Sequence, residues 1–329
     1  MLMLLLQPLV SVKSLVNLGN LMSKPTFKAK PMQVEVPASS ANLGPGFDSF
    51  GLALGMHDRY VAQVLDDVML DIDISGEGAN ELPRTDKNLL VKAMHKGFDY
   101  LGGRPKGLAI RALNVNPHGR GLGSSASAII GGLVLARALV LNGEDKLNDQ
   151  QLLTLATEME GHPDNVSASL YGGATISWSE MVKGKMKAHS IQLNVDTRVR
   201  AIAYIPAQPL ATSKARKLLP ESIPFADAVR NTSNAAILSH ALTLRPDLLF
   251  IATEDFLHQS YRAQAMPDSF ALMNKLRGAG VAAFISGAGP TVLALHTGNQ
   301  SDVEELKLAG GSAFVAHPLE IASRGATLL

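Results

Sequence analysis

The chain has no cysteine among its 329 residues. That excludes disulfides, thiolate catalysis, zinc–cysteine sites and iron–sulfur clusters, and it suits a reducing, cytoplasmic setting. An excess of one charge is missing too: 30 Lys and Arg stand against 29 Asp and Glu, a formal net charge of +1. A broad nucleic-acid footprint is therefore not expected, although a local basic pocket is not excluded. Aromatic residues make up 5% and tryptophan occurs once, so there is no aromatic–basic stripe for stacking single strands. Long apolar runs are also absent. Residues 1–10 read MLMLLLQPLV, which is too short for a bilayer span of about 20 residues. They lack the preceding positive charge of a secretory signal. No membrane association is expected.

What is present is ample apolar content: 46% hydrophobic residues exclude general disorder and suffice for two cores. Regular patterning begins only after Pro31, and Met22 and Met32 are alternative starts, so residues 1–31 read as a disordered extension. Beyond it, strand-like segments (33–37, 52–54, 60–65, 70–74, 108–115) mix with helical periodicity at 88–100, 126–141 and 149–160. The second half predicts a strand at 198–205 and helices at 213–219, 226–242, 248–261 and 270–277. Strands follow at 280–285 and 292–295, with a last one at 313–317. The class is α/β or α+β, with a boundary in 180–196, where 180–190 reads as polar linker or hairpin.

Four small-residue turns carry the chemistry. In HGRGLGSSASA, Gly119, Gly121 and Gly123 free the backbone, and Ser124 and Ser125 suit the cap of the apolar helix that follows. Unpaired N–H groups at such a helix start bind phosphate, and Arg120 adds charge. No Walker A pattern exists. A dinucleotide fingerprint is the rival reading of Gly121 to Ala126, but residues 116–120 separate those glycines from the preceding strand. In EGHPDNV, Glu160 suits Mg²⁺ on phosphates. His162 and Asn165 suit a hydroxyl or amino group, and Asp164 a cap. The turn at 37–48 offers Asn42 and Asp48, and SGAGPT at 286–291 is the fourth. Each alone is also readable as an ordinary turn.

Together, PASSANLGPGFDSFG, RGLGSSASA, EGHPDNVSAS and SGAGPT resemble, in order, the signatures of the GHMP superfamily, the small-metabolite kinases named for galactokinase, homoserine kinase, mevalonate kinase and phosphomevalonate kinase. The first and third resemble the homoserine kinase family in particular. The resemblance runs from about Gln33 to near the C-terminus. VSAS stands where relatives commonly have VAPA, and SSASA where many have SSAAA.

The resemblance implies an α+β, two-domain GHMP kinase fold. Residues 32–190 would form an ATP-binding domain like ribosomal protein S5 domain 2, and 191–329 a ferredoxin-like domain. It implies ATP and Mg²⁺, with phosphates cradled by Arg120, Gly121, Leu122, Gly123, Ser124 and Ser125, with Pro117, His118 and Gly119 also binding the cofactor, and with Asn88 on the adenine side. Ser125 and Glu160 would hold magnesium, with Glu158 left open as the alternative. L-homoserine would be the small-molecule substrate. Its amino group would meet Asp48 and His162, its hydroxyl Asn42 or Asn165, and its carboxylate Arg216 and Arg262, for which guanidinium forks are suited. Attack would proceed without a strong base, Asn42 and Asn165 orienting the hydroxyl; Asp164 as base is the alternative. Relatives are often dimers, so a homodimer is compatible with the resemblance. Another small-metabolite kinase of the superfamily, or a non-enzymatic RNA-binding S5-like protein, are the competing readings.

Overall fold

The computed structural model describes residues 24–329. The apolar run at 1–10 and the rest of the expected extension up to residue 23 lie outside the described residues. Residues 24–31 do not continue that extension. Phe27 bridges to Val140 and packs edge-on against Phe98 at 5.6 Å, and the Lys28 N–H donates to Leu139 O. The Phe27 side chain, with backbone bonds of Thr26 to Leu141 and of Lys28 to Leu139, docks the segment.

In chain order the elements are β1 (Met32–Ala41), β2 (Phe50–Leu65), β3 (Leu70–Gly76), α1 (Leu89–Tyr100), β4 (Gly107–Asn114), α2 (Ser124–Leu139), α3 (Gly143–Lys146), α4 (Asp149–Glu160), α5 (Asp164–Tyr171), β5 (Ala174–Val182), β6 (Lys185–Leu193), β7 (Arg200–Pro206), α6 (Thr212–Arg216), α7 (Phe225–Thr243), α8 (Leu249–Ala252), α9 (Gln259–Arg262), α10 (Pro267–Gly278), β8 (Ala282–Ile285), β9 (Val292–His296), α11 (Gln300–Leu308), β10 (Phe314–Leu319) and β11 (Thr327–Leu328).

Two sheets result. The first runs β11-β1-β2-β4-β3, with β5 paired to the start of β2 and β6 beyond it; only β3 and β4 are parallel. The segments 52–54 and 60–65 are one strand. Its pairing jumps from Pro37 opposite His57 to Ala38 opposite Leu54, so Gly55 and Met56 bulge out and interrupt the alternation. The polar stretch 180–190 is the hairpin of β5 and β6, turned at Lys183 and Gly184, both at positive φ. Helix α2 is apolar all round because it is enclosed between the sheet, α1 and α4. Gly132 allows the approach: a Cβ there would lie 2.5 Å from Leu90 O.

The second sheet runs β10-β7-β9-β8, all antiparallel, in the strand–helix–strand–strand–helix–strand order of a ferredoxin-like fold. Period two decides its faces. Ala201, Ala203 and Ile205 join Leu52 and Leu54 in a core shared by both sheets, while Ile202 and Tyr204 pack beneath α10 and α11.

Other segments also differ from expectation. Residues 248–261 are not one helix: α8 ends at Ala252 and α9 begins at Gln259. Between them Asp255 accepts the N–H groups of Leu257, His258 and Gln259, which competes with the helical ladder. Helices α5 and α11 were not expected, since α5 buries serines (Ser167, Ser169) in place of an apolar stripe, and α11 buries only Val303. The chain does not finish at 313–317: β11 returns to pair with β1. Among the described residues, no helix is long and apolar enough to cross a membrane.

Candidate active site

The four turns meet around one cavity of about 210 Å³. The glycine loop is shaped by φ values of 65°, 76° and 68° at Gly119, Gly121 and Gly123, a region that side chains with a Cβ disfavour. The close fit adds to this. A Cβ on Gly121 would lie 2.4 Å from Ser286 O, and one on Gly123 2.1 Å from Ser39 Oγ. Hydrogen bonds knit the turns together: Ser39 N–H to Leu122 O, Gly287 N–H to Ala41 O, and Ser286 Oγ to Gly121 O. Ser124 and Ser125, expected as caps, are the first residues of α2. The cap position is Gly123, with no side-chain bond, so the helix start keeps donors for a ligand.

Ser125 Oγ donates to Glu160 Oε1 at 2.6 Å. Burial pushes the Glu160 carboxyl above its ordinary value, and the Ser125 hydrogen bond offsets only part of that. Glu158, the alternative, is exposed and pairs with Lys96 at 2.9 Å. His162 Nδ1 pairs with Asp164 Oδ1, which also accepts the Asn165 N–H at 2.7 Å. Burial alone would lower the His162 pKa; the Asp164 hydrogen bond and charge, with Glu160 and Asp48, raise it overall. Asn165 Oδ1 accepts from Ser39 Oγ at 3.0 Å, and its Nδ2 has no partner among the described residues. Asn165 lines the cavity.

Asn42 also lines the cavity but holds the turns themselves. Its Nδ2 donates to Gly287 O at 2.9 Å and its Oδ1 accepts the Asp48 N–H at 3.0 Å. Asn42, Leu43 and Asp48 all adopt positive φ, strain concentrated where three turns join. Asp48 is bidentate with Arg216, at 3.0 and 2.6 Å. The groups assigned from sequence to an ammonium and a carboxylate therefore face and neutralise one another. Arg262 is 1% exposed, and burial, then the charge of Arg216, lowers its pKa to about 10. Both guanidinia lie over the Phe47 ring, Arg216 at 5.4 Å and Arg262 at 5.3 Å from its centre. Sequence reasoning gives Phe47 no role; an aromatic residue in a glycine-rich turn is the available signal.

The structure separates the expected phosphate-loop residues. Arg120 does not face the cavity: its guanidinium donates to the carbonyls of His118, Pro206 and Ala207, fastening the loop to the end of β7. Leu122 buries its side chain in the core shared by the sheets. Pro117 is among the lining residues of neither this cavity nor its neighbour. That neighbour, a second and largely apolar cavity of about 130 Å³, is lined by Ile72, Leu82, Asn88 and His118 and shares Ser124 and Ser125 with the first. Asn88 caps α1 through Oδ1 to Leu90 N–H, and its Nδ2 donates to Pro83 O.

Two family descriptions match the chain: the GHMP kinases N terminal domain over residues 88–173 and the GHMP kinases C terminal over 233–316. The homoserine kinase of Streptomyces coelicolor is 50% identical over 94% of this chain and 97% of its own length. That of Streptomyces avermitilis is 49% identical over 94% and 99%. Among solved structures, the homoserine kinase of Cytophaga hutchinsonii superposes with a TM-score of 0.78 at 25% identity, covering 92% of this chain and 98% of that one. Matching models in both halves, and relatives half identical along nearly their whole length, make one conclusion firm: the chain belongs to the GHMP kinase family, where it groups with homoserine kinases.

Proposed function

We propose that this protein transfers the γ-phosphoryl group of ATP to the hydroxyl of L-homoserine, giving O-phospho-L-homoserine and ADP. One observation carries the reading: the glycine loop at the start of α2, the Ser125 and Glu160 contact, and the charges of Asp48, Arg216 and Arg262 all open on a single cavity. Phosphoryl transfer asks mainly for positioning and charge neutralisation, and these groups supply both.

Each part has a role in this reading. The uncapped start of α2 offers backbone donors to phosphate oxygens. The adjoining apolar cavity, with Ile72 and Leu82, suits the flat face of a purine. A serine hydroxyl and a carboxylate are hard oxygen donors, so Ser125 and Glu160 are the pair that would hold Mg²⁺, which supplies neutralisation of phosphate charge when bound. Asp48 takes the substrate ammonium, with Asp164 adding negative charge nearby. Arg216 and Arg262 take the carboxylate. An α-amino acid satisfies both halves of the resting Asp48 and Arg216 pair at once, whereas mevalonate or shikimate leaves the aspartate without a cation. Asn165 points its Nδ2 to the hydroxyl oxygen. Asp164 is engaged by His162 and the Asn165 N–H, which favours orientation over base catalysis.

An ADP-release assay against homoserine, threonine, shikimate and mevalonate tests this directly. Homoserine is expected to give the highest kcat/KM; absence of homoserine-dependent turnover would defeat the reading.

A further inference from the structure

The proposed function uses Arg262 but leaves two buried polar neighbours without a role. Asp255 sits in the break between α8 and α9. Its carboxylate accepts the N–H groups of Leu257, His258 and Gln259 at 3.0, 3.0 and 2.7 Å and lies 3.5 Å from His258 Nε2. His258 has no exposed surface. Its Nε2 meets Gly44 O at 2.9 Å, in the turn that carries Phe47 and Asp48, and its Nδ1 meets Arg262 Nη1 at 3.1 Å.

The proton on this ring follows from its partners. A guanidinium only donates, so Nδ1 must accept. A carbonyl only accepts, so Nε2 carries the hydrogen. One neutral tautomer satisfies both contacts. Arg262 Nη1 has a second, longer bond to Gly287 O at 3.3 Å, and Arg262 Nε is buried without a partner among the described residues. The guanidinium is thus gripped through one nitrogen, beside a cavity that Arg262 itself lines. Gly287 O also accepts from Asn42 Nδ2. His258 therefore ties the Gly44 turn to the buried cation, and the cation itself bonds the turn at Gly287.

We propose that His258 is a positioning residue: its imidazole fixes Arg262 and the Gly44 turn in one arrangement, presenting the guanidinium to the carboxylate of the substrate. This rests on the kinase reading above. A ring that merely filled space and braced Gly44 would need no acceptor at Nδ1, and that difference can be measured.

The experiment compares H258A, H258N and H258Q by steady-state kinetics on the full chain. In H258N the side-chain oxygen takes the place of Nδ1 and keeps the Arg262 contact; in H258Q the amide reaches Gly44 O but leaves Arg262 unheld. For H258A, loss of a hydrogen bond to a charged group raises KM for homoserine about tenfold or more, while KM for ATP stays within about twofold of wild type, as expected when only acceptor binding is affected. H258N restores most of the loss and H258Q does not. If H258A does not fold, the asparagine and glutamine variants carry the test alone. Equal rises in both substrates' KM, or rescue by glutamine in place of asparagine, overturns the proposal. So does an unchanged KM for homoserine in all three variants. Wild type is assayed first: no turnover of homoserine overturns the kinase reading and this proposal with it, whereas normal wild-type turnover with insensitive variants overturns the positioning role alone.

Discussion

Glu160 and Glu158 sit two positions apart on α4, yet one faces the cavity beside Ser125 and the other faces Lys96 and solvent. Two residues along a helix are rotated by about 200°, so they cannot share a face. E160Q is expected to abolish most Mg²⁺-dependent turnover, and E158Q to leave it within about twofold, since exposed ion pairs contribute little. Because burial raises the Glu160 carboxyl above 4.5, it holds its proton to a higher pH than an ordinary glutamate, and activity should begin to fall at a correspondingly higher pH on acidification. The stability sign follows. A raised folded-state pKa means stability is present below the unfolded value and lost as pH rises through the folded one. Without Mg²⁺, E160Q should therefore melt at or above wild type near pH 7. That advantage should shrink as the pH falls towards 4.5, and thermal scans across that range read it. The four motifs were legible at this scale because each needs particular residue types. The orientation of Arg120 was not, since the carbonyls that claim it come from the end of β7, distant in sequence. The commitment of Asn42 to Gly287 was hidden for the same reason.

Helices and strands were readable where one periodicity acts alone. Helix α1 showed its apolar spacing, and α2 its continuous apolar run. Reading failed where the stabilising contact was polar. Helix α5 buries Ser167, which bonds to Thr175 and Ser177, and the 248–261 segment is broken by a buried aspartate acting as backbone acceptor. Neither contributes to a hydrophobic pattern. The packing of α1 on α2 leads to a prediction of its own. A methyl on Gly132 would lie 2.5 Å from Leu90 O and 2.7 Å from Ala93 Cβ. Overpacking of this kind costs about 1–3 kcal/mol, which exceeds the ~1 kcal/mol that alanine adds in helix propensity. G132A should lower the denaturant midpoint without altering KM for either substrate. An unchanged or higher midpoint would mean that the two helices separate more readily than the packing implies.

At the scale of the whole molecule, the two sheets share a core and the chain crosses between them more than once. After β10 completes the second sheet, residues 320–328 run back over the first. Gly55 N–H donates to Glu320 O, Gly173 N–H to Ala322 O, and Val34 pairs with Leu328. Deleting residues 327–329 removes β11 and the partly buried Leu328. The expected loss is about 1–2 kcal/mol from the exposed side chain and its neighbours, a fall of a few degrees in Tm. Calorimetry of the trimmed chain checks this, and an unaltered Tm would show that β11 contributes nothing to the first sheet. Periodicity shows 313–317 as the last strand, because a two-residue strand has none to detect. That short strand bears on synthesis. In a chain made from its N-terminus, β1 emerges early and can pair at once with β2, but its other edge waits for residues near the far end of the sequence. The β1 edge at Val34 and Glu35 thus stays unpaired, and open to neighbouring nascent chains, until Thr327 and Leu328 have been made.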